Sequence, residues 1–320
     1  MSFTSSLAVA AGIWSLTPQL ALENTNIFGF DEDARFVDYN RLRADITVAH
    51  EKYEALAAKL IIDNEAAYIQ KHYSLTDDTS IYRGYVEYRG ETHFWVIGRQ
   101  RIPLGVGRVW NPIDIFNPID VQSVEPQERP GTEALRYEYA ISRLANFDCT
   151  LSRDKGEARL KGYLDYADVA LVGLYDNDAK FDIIGWEVEG ELFDTGIELR
   201  SEGGSFHDDA TGSRHTAFIV GAEYGFVNSL TVLGEYRFDD AMQSDDLAMS
   251  ISFQPKILWT VSCLGVENLN DHSFFIAPSV EYSTGDESTL SAGAFLYQGN
   301  DRDVYGGFAD RIYVRWFVHF

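Results

Sequence analysis

The chain has 320 residues, a formal net charge of −24, 45% hydrophobic and 14% aromatic residues, and only two cysteines. So acidic a chain lacks the basic face that a phosphate backbone requires, which excludes nucleic acid as a partner, and no apolar run is long enough for a transmembrane helix. Cys149 and Cys263 suit neither a metal site nor a disulfide framework, whereas membrane-crossing strands stay open because their alternation leaves mean hydropathy near zero.

In chain order, SLAVAAGIWSLTPQLA has the look of the apolar region of a secretory signal. It lacks a basic leader, the first Lys or Arg being Arg35, and Gln19-Leu20-Ala21 is a poor cleavage site. Residues 1–22 are therefore expected to be a partial signal peptide or an irregular or strand-forming terminus, ahead of one domain over 23–320. VDYNRLRADITVA alternates, with Leu42, Ala44, Ile46 and Val48 on one face and Arg41, Arg43, Asp45 and Thr47 on the other. Residues 54–69 have a helix-like composition, yet Leu56, Ala58, Leu60 and Ile62 also keep strand alternation. From Ile81 the pattern is clean: Tyr82, Gly84, Val86 and Tyr88 share a face. It resumes in phase beyond Arg89-Gly90-Glu91, which fits a three-residue hairpin loop.

Between Arg99 and Thr132 the alternation fails. Five of the eight prolines fall there, Pro103, Pro112, Pro118, Pro126 and Pro130, and proline allows neither helix interior nor central strand. Trp110, Ile113, Ile115, Phe116 and Ile119 nevertheless call for burial. A proline-stiffened loop over 101–132, packed against or inside a cylinder of sheet, satisfies both. Gly105 and Gly107 suit close backbone approach where the loop leaves the sheet; GVGR matches no phosphate-loop spacing.

From Leu135 to the end, strands and turns succeed one another at barrel-like spacing. Strands are expected at 135–143, 147–154, 157–166, 168–175, 180–192, 196–202, 214–225, 229–239, 246–254, 257–266, 273–283, 288–298 and 311–320. Short connections such as 144–146 alternate with longer acidic ones such as SEGGSFHDDATGS, DDAMQSDD and GNDRDVYGGFADR, the sorting of a barrel with turns on one side and loops on the other. Loop 101–132 falls on the long-loop side. The count is about 16 strands, within 14–18, with 18 required if 54–69 is a barrel strand.

The chain ends in RIYVRWFVHF, with Ile312, Val314, Trp316, Val318 and Phe320 forming an apolar face. This resembles the terminal strand of Gram-negative outer-membrane β-barrels, and GRQRIPLGVGRVWNPIDIFNP is similar to a segment of porin-like outer-membrane proteins. The resemblance implies an all-β, transmembrane antiparallel barrel in the outer membrane, contacting lipid and lipopolysaccharide. Assembly would be signalled to the barrel-assembly machinery through Trp316, Val318 and Phe320.

On the faces opposite the apolar ones, ten basic and seven acidic residues make a mixed interior. Arg83, Glu87, Arg99, Arg101, Arg108, Trp110, Asp114, Arg136 and Glu138 are the candidate pore-lining or constriction residues. No catalytic set, metal site or cofactor is expected; Ser205-Phe206-His207-Asp208-Asp209 with His215 is read as a solvated acidic loop. The expected function is passive diffusion of ions or small polar solutes, with a homo-oligomer as one arrangement. Two other functions remain: a structural barrel sheathing a periplasmic or multihaem cytochrome partner, and an outer-membrane hydrolase.

Overall fold

The computed structural model describes residues 14–30, 35–50, 55–70 and 74–320. These form 18 strands. The first five are β1 (Trp14–Gly29), β2 (Phe36–His50), β3 (Leu56–Ile69), β4 (Ser74–Arg89) and β5 (His93–Gln100). After an irregular segment at 101–131 come β6 (Thr132–Ser142), β7 (Ala145–Ser152), β8 (Lys155–Tyr163), β9 (Asp168–Asp176), β10 (Phe181–Glu191), β11 (Ile197–Asp208) and β12 (Arg214–Gly225). The series ends with β13 (Leu230–Asp239), β14 (Ser244–Lys256), β15 (Trp259–Asn268), β16 (Phe274–Gly285), β17 (Ser288–Gln298) and β18 (Arg311–His319). Neighbours in sequence are neighbours in the sheet, and β1 pairs antiparallel with both β2 and β18. The sheet therefore closes on itself as an antiparallel barrel, which leaves no free edge. Among the described residues no helix is long and apolar enough to cross a membrane.

The strand number corrects the expected 16 to 18. Residues 56–69 are a strand in full register with β2, from Val37 opposite Ile69 to Ala49 opposite Ala57. Their Ala, Glu and Lys content suits a helix, but sheet pairing on both sides overrides that preference. The second added strand is β1. Residues 14–22, the latter part of the segment read as a partial leader, lie in it; residues 1–13 lie outside the described residues.

The connections are also more even than expected. SEGGSFHD is strand rather than loop, because β11 runs on to Asp208 in register with Phe181 on β10 and leaves 209–213 as the turn. DDAMQSDD contracts to 240–243 in the same way. Only 101–131 and 299–310 remain as long connections among the described residues.

The chain packs as two units: residues up to Gly84 with 227–230 and 250–320, and residues 85–226 with 231–249. In the first, the closing seam carries an ion cluster. Glu23 on β1 accepts from Arg41 on β2 and, at 3.0 Å, from Arg315 on β18. Arg43 grips both oxygens of Asp63 at 2.7 Å. The connection 299–310 is tied down by Val304 N–H to Asp271 at 2.8 Å and Tyr305 N–H to the Ser273 hydroxyl at 3.0 Å, with Tyr305 packed edge-on against Phe275. At the terminus, Trp316 and Phe320 are exposed while Val318 is buried. Phe320 and Leu20 exchange both backbone hydrogen bonds, at 2.7 and 3.2 Å.

Glu23 is the common acceptor of two guanidiniums from different strands, and it is buried. Removing one partner of a buried ion pair leaves uncompensated charge, which costs about 3–5 kcal/mol. Glu23→Ala is therefore expected to lower barrel stability by roughly that amount, read by urea titration of the folded fraction in lipid vesicles.

Candidate functional site: a loop pinned to charged strands

In the second unit, alternation gives each strand two chemically distinct faces. Leu160, Leu171, Ile184, Leu199 and Val220 are exposed on one; Val172, Ile183, Phe206 and Ile219 are buried on the other. The irregular segment 101–131 covers Val172, Ile183 and Phe206. Ile102, Leu104, Ile113 and Phe116 from this segment form one apolar cluster with Ala170, Val172, Leu174, Ile183, Phe206 and Ala217 of the strands. The apolar residues among the prolines thus have the wall that their composition requires.

The polar half of the attachment is more specific. Every backbone N–H from Gly105 to Trp110 points at a carboxylate of the wall. Glu187 on β10 accepts from Gly105 at 2.8 Å. Glu202 on β11 accepts from Val106, from Gly107 at 2.9 Å and from the Asn111 amide at 3.1 Å. Glu235 on β13 accepts from Arg108, Val109 and Trp110 at 2.9, 3.1 and 2.8 Å. Glu202 and Glu235 are essentially inaccessible, at 0% and 1% exposure, so these amides take the place of water around buried charge. The glycines make the approach feasible. Gly105 has φ 85°, and a Cβ there would lie 2.5 Å from the Asn111 amide and 2.7 Å from Glu202; at Gly107 it would lie 1.8 Å from the Trp110 carbonyl.

The segment also braces itself. Asp114 accepts from Phe116 N–H at 3.1 Å and Asn117 N–H at 2.8 Å while pairing with Arg129 at 3.3 Å. Asn117 accepts from Ile102 N–H at 2.9 Å and donates to the Pro130 carbonyl at 2.6 Å, tying entry to exit. From the wall, Lys155 donates to the Ile115 carbonyl at 2.6 Å and Arg159 to the Pro103 carbonyl at 2.9 Å. Arg159 belongs in turn to a chain of ion pairs through Asp148 to Arg136.

The sequence candidates divide by location. Arg101 and Arg108 are exposed and line a cavity of about 310 Å3 with Arg129, Arg159 and Lys161. Trp110 and Asp114 are buried instead of facing open space: the Arg237 guanidinium lies 5.1 Å over the Trp110 ring. Arg99 donates to the Gly131 carbonyl at 3.1 Å and so holds the far end of the loop. Arg136 and Glu138, 3.2 Å apart, line a separate cavity with His93 and Phe94. Glu87 lies 3.8 Å from Arg89, and Arg83, in the first unit, lies 5.0 Å over the Tyr82 ring. Ser205 and His207 occupy one face of β11 and Asp208, by alternation, the other, so this trio does not converge.

Glu187, Glu189, Glu198, Arg200, Glu202 and Glu223 escape the sequence reading, yet they carry much of the wall's charge. Three wall carboxylates surround Arg200, with Glu198 and Glu223 each at 2.9 Å and Glu189 at 3.6 Å. The E-x-E-x-E pattern at 187–191 and E-x-R-x-E at 198–202 were the available signals, since a strand placing three charges on one face has chosen a polar environment for it.

Glu235→Ala leaves three loop amides without acceptors, so exchange at 108–110 is expected to quicken roughly tenfold or more. Exchange within β8–β12 should stay unchanged by hydrogen–deuterium mass spectrometry. Burial pushes the Asp114 carboxyl up from the usual 3.8 to about 6, against the opposing pull of the Asn117 amide and Arg129. A raised pKa means the attached loop holds a proton that the detached loop releases, so attachment is strongest near pH 4 and weakens up to about pH 6. Protection at 114–117, corrected for intrinsic exchange, should follow that trend, and Asp114→Asn should abolish it.

No protein-family model matches this chain, and no curated protein sequence matches it. Solved structures do. OccK5 (OpdH) of Pseudomonas aeruginosa superposes with a TM-score of 0.66 at 10% identity, over 95% of this chain and 97% of that one. OprD of Pseudomonas aeruginosa gives 0.65 at 9% identity, over 95% and 93%. Salmonella typhi OmpF, solved with daunomycin, gives 0.57 at 12% identity, over 96% and 98%. At identities this low the likeness is one of fold: the chain is a closed antiparallel β-barrel of the outer-membrane porin type.

Proposed function

We propose that this protein is a porin-like channel of the Gram-negative outer membrane, passing ions or small polar solutes by passive diffusion. The exposed apolar residues of one sheet face, Ile184 and Leu171 among them, suit a lipid boundary. The opposite face, rich in paired charges, suits water. The observation that carries the reading is the pinning of 101–131 to that charged face by Glu187, Glu202 and Glu235. A loop held inside a barrel narrows the path and sets charged groups along it, and selectivity then follows from size and local field. The surviving solute range is a matter for Arg101, Arg108 and their neighbours rather than for the overall charge.

A sheath around a cytochrome needs an unobstructed interior, and a loop anchored this firmly speaks against it. The hydrolase reading loses its local cluster, because Ser205 and His207 face away from Asp208. Contacts with lipopolysaccharide, the assembly machinery and further copies of the chain belong to the same proposal.

Conductance in planar bilayers is the test. The wild type is expected to form ion-conducting channels, and deletion of 105–125 is expected to raise conductance while the barrel still assembles. Absence of any channel activity at any voltage would overturn the reading; equal conductance in the deletion would make the loop a surface cap.

A further inference from the structure

The sheet face that suits lipid is not apolar throughout. In the first unit the strand registers set rows of directly opposed residues across it, and opposed residues share a face. One row runs Leu290, Trp316, Asn24, Asn40 from β17 through β18 and β1 to β2. The next runs Ala292, Val314, Asn26, Asp38. Leu290, Trp316 and Val314 are exposed, as are Leu22 and Leu42 to one side along the strands and Phe28 to the other. Four polar residues thus sit inside the apolar band. The opposite face of β1 and β2 carries the buried Glu23, Thr25 and Arg41.

The four are joined to one another. Asn24 donates to Asp38 at 2.8 Å and to Asn40 at 2.9 Å, Asn26 to Asn24 at 2.6 Å, and Asn40 to Asp38 at 3.0 Å. Beyond them, Asn64 on β3 donates to Asp77 and Thr79 on β4 at 3.0 and 2.9 Å. Polar groups, and carboxylates above all, are costly against hydrocarbon, and these bonds do not exhaust the network. An Asn amide has two N–H donors. Among the described residues Asn26 and Asn40 each engage one, and Asp38 engages one of its two oxygens. Donors and acceptors therefore remain together on one surface. Acyl chains supply neither, and lipid headgroups lie at the rims of the band rather than between Leu22 and Phe28. A surface carrying both kinds of group is complementary to a copy of itself, with the flanking Leu22, Leu42 and Trp316 closing round the contact.

We propose that copies of this chain associate through the outer face of β1 and β2, with Asn24, Asn26, Asp38 and Asn40 at the centre of the contact. The inference rests on the lipid-boundary part of the channel reading. Like patches meet in it, so the assembly is symmetric and closed.

The test uses the full chain in outer-membrane vesicles, with Cys149→Ala and Cys263→Ala as background. Oxidation of Asn40→Cys is expected to link copies, whereas Ile184→Cys, exposed on β10 of the second unit, is expected to leave them unlinked. Native mass spectrometry in copolymer nanodiscs then counts copies. The wild type is expected as an assembly, and Asn24→Leu/Asn26→Val/Asp38→Leu/Asn40→Val as a monomer, its monomer fraction at least tenfold higher. Far-ultraviolet circular dichroism checks that this variant keeps its barrel, and the Asn40→Cys link stands as a separate reading should it not fold. A monomeric wild type, an assembly surviving the fourfold variant, or equal linking at Ile184→Cys would overturn the interface; monomers retaining lipopolysaccharide would assign the face to lipid. Conductance is read in parallel. A conducting monomer would sink the interface alone, and a linked assembly that conducts nothing would keep the interface and sink the channel.

Discussion

Six successive backbone amides, Gly105 to Trp110, end on three glutamates carried by three different strands. Much else in the second unit depends on this. A buried carboxylate is costly unless it is surrounded by donors, and a proline-rich segment outside any sheet has amides with nowhere to go. Each solves the other's problem. Because each amide carries its donor whatever its side chain, the segment can present Arg101 and Arg108 outward while its backbone faces the wall.

The apolar part of the contact works alongside. Ile102, Ile113 and Phe116 cover Val172, Ile183 and Phe206, which would otherwise face water on the charged side of the sheet. Gly107 is the tightest point, with no room for a methyl group beside the Trp110 carbonyl. The loop is packed and hydrogen-bonded onto the wall, and the cavity beside Arg101 and Arg108 takes most of its lining from it. The first unit shows the same economy of charge: Glu23 gathers guanidiniums from β2 and β18 across the closing seam.

Most strands were legible because period-two alternation is a local signal. From β6 to β18 the expected segments match the observed ones to within a few residues, except β11, where SEGGSFHD has the composition of a loop but the pairing of a strand. The anchoring role of the glutamates was not legible. Their partners are backbone amides, which leave no trace in residue type, and the separations of 82 to 127 residues lie far beyond any local window. Arg101 and Arg108 are exposed, whereas Trp110 and Asp114, named with them from the sequence, are buried.

Alternation, the clustered prolines and the aromatic terminus already required an all-β chain interrupted by a packed, irregular loop, since these follow from φ restriction and from which side chains tolerate water. How many strands close the sheet, and where the loop is moored, required three-dimensional information. Strand number turned on β1 and β3, whose local preferences are ambiguous and whose state is set by hydrogen bonds to partners on both sides. The mooring turned on Glu187, Glu202 and Glu235, ordinary strand carboxylates in the sequence, which become anchors only when folding brings the amides of 105–110 within reach.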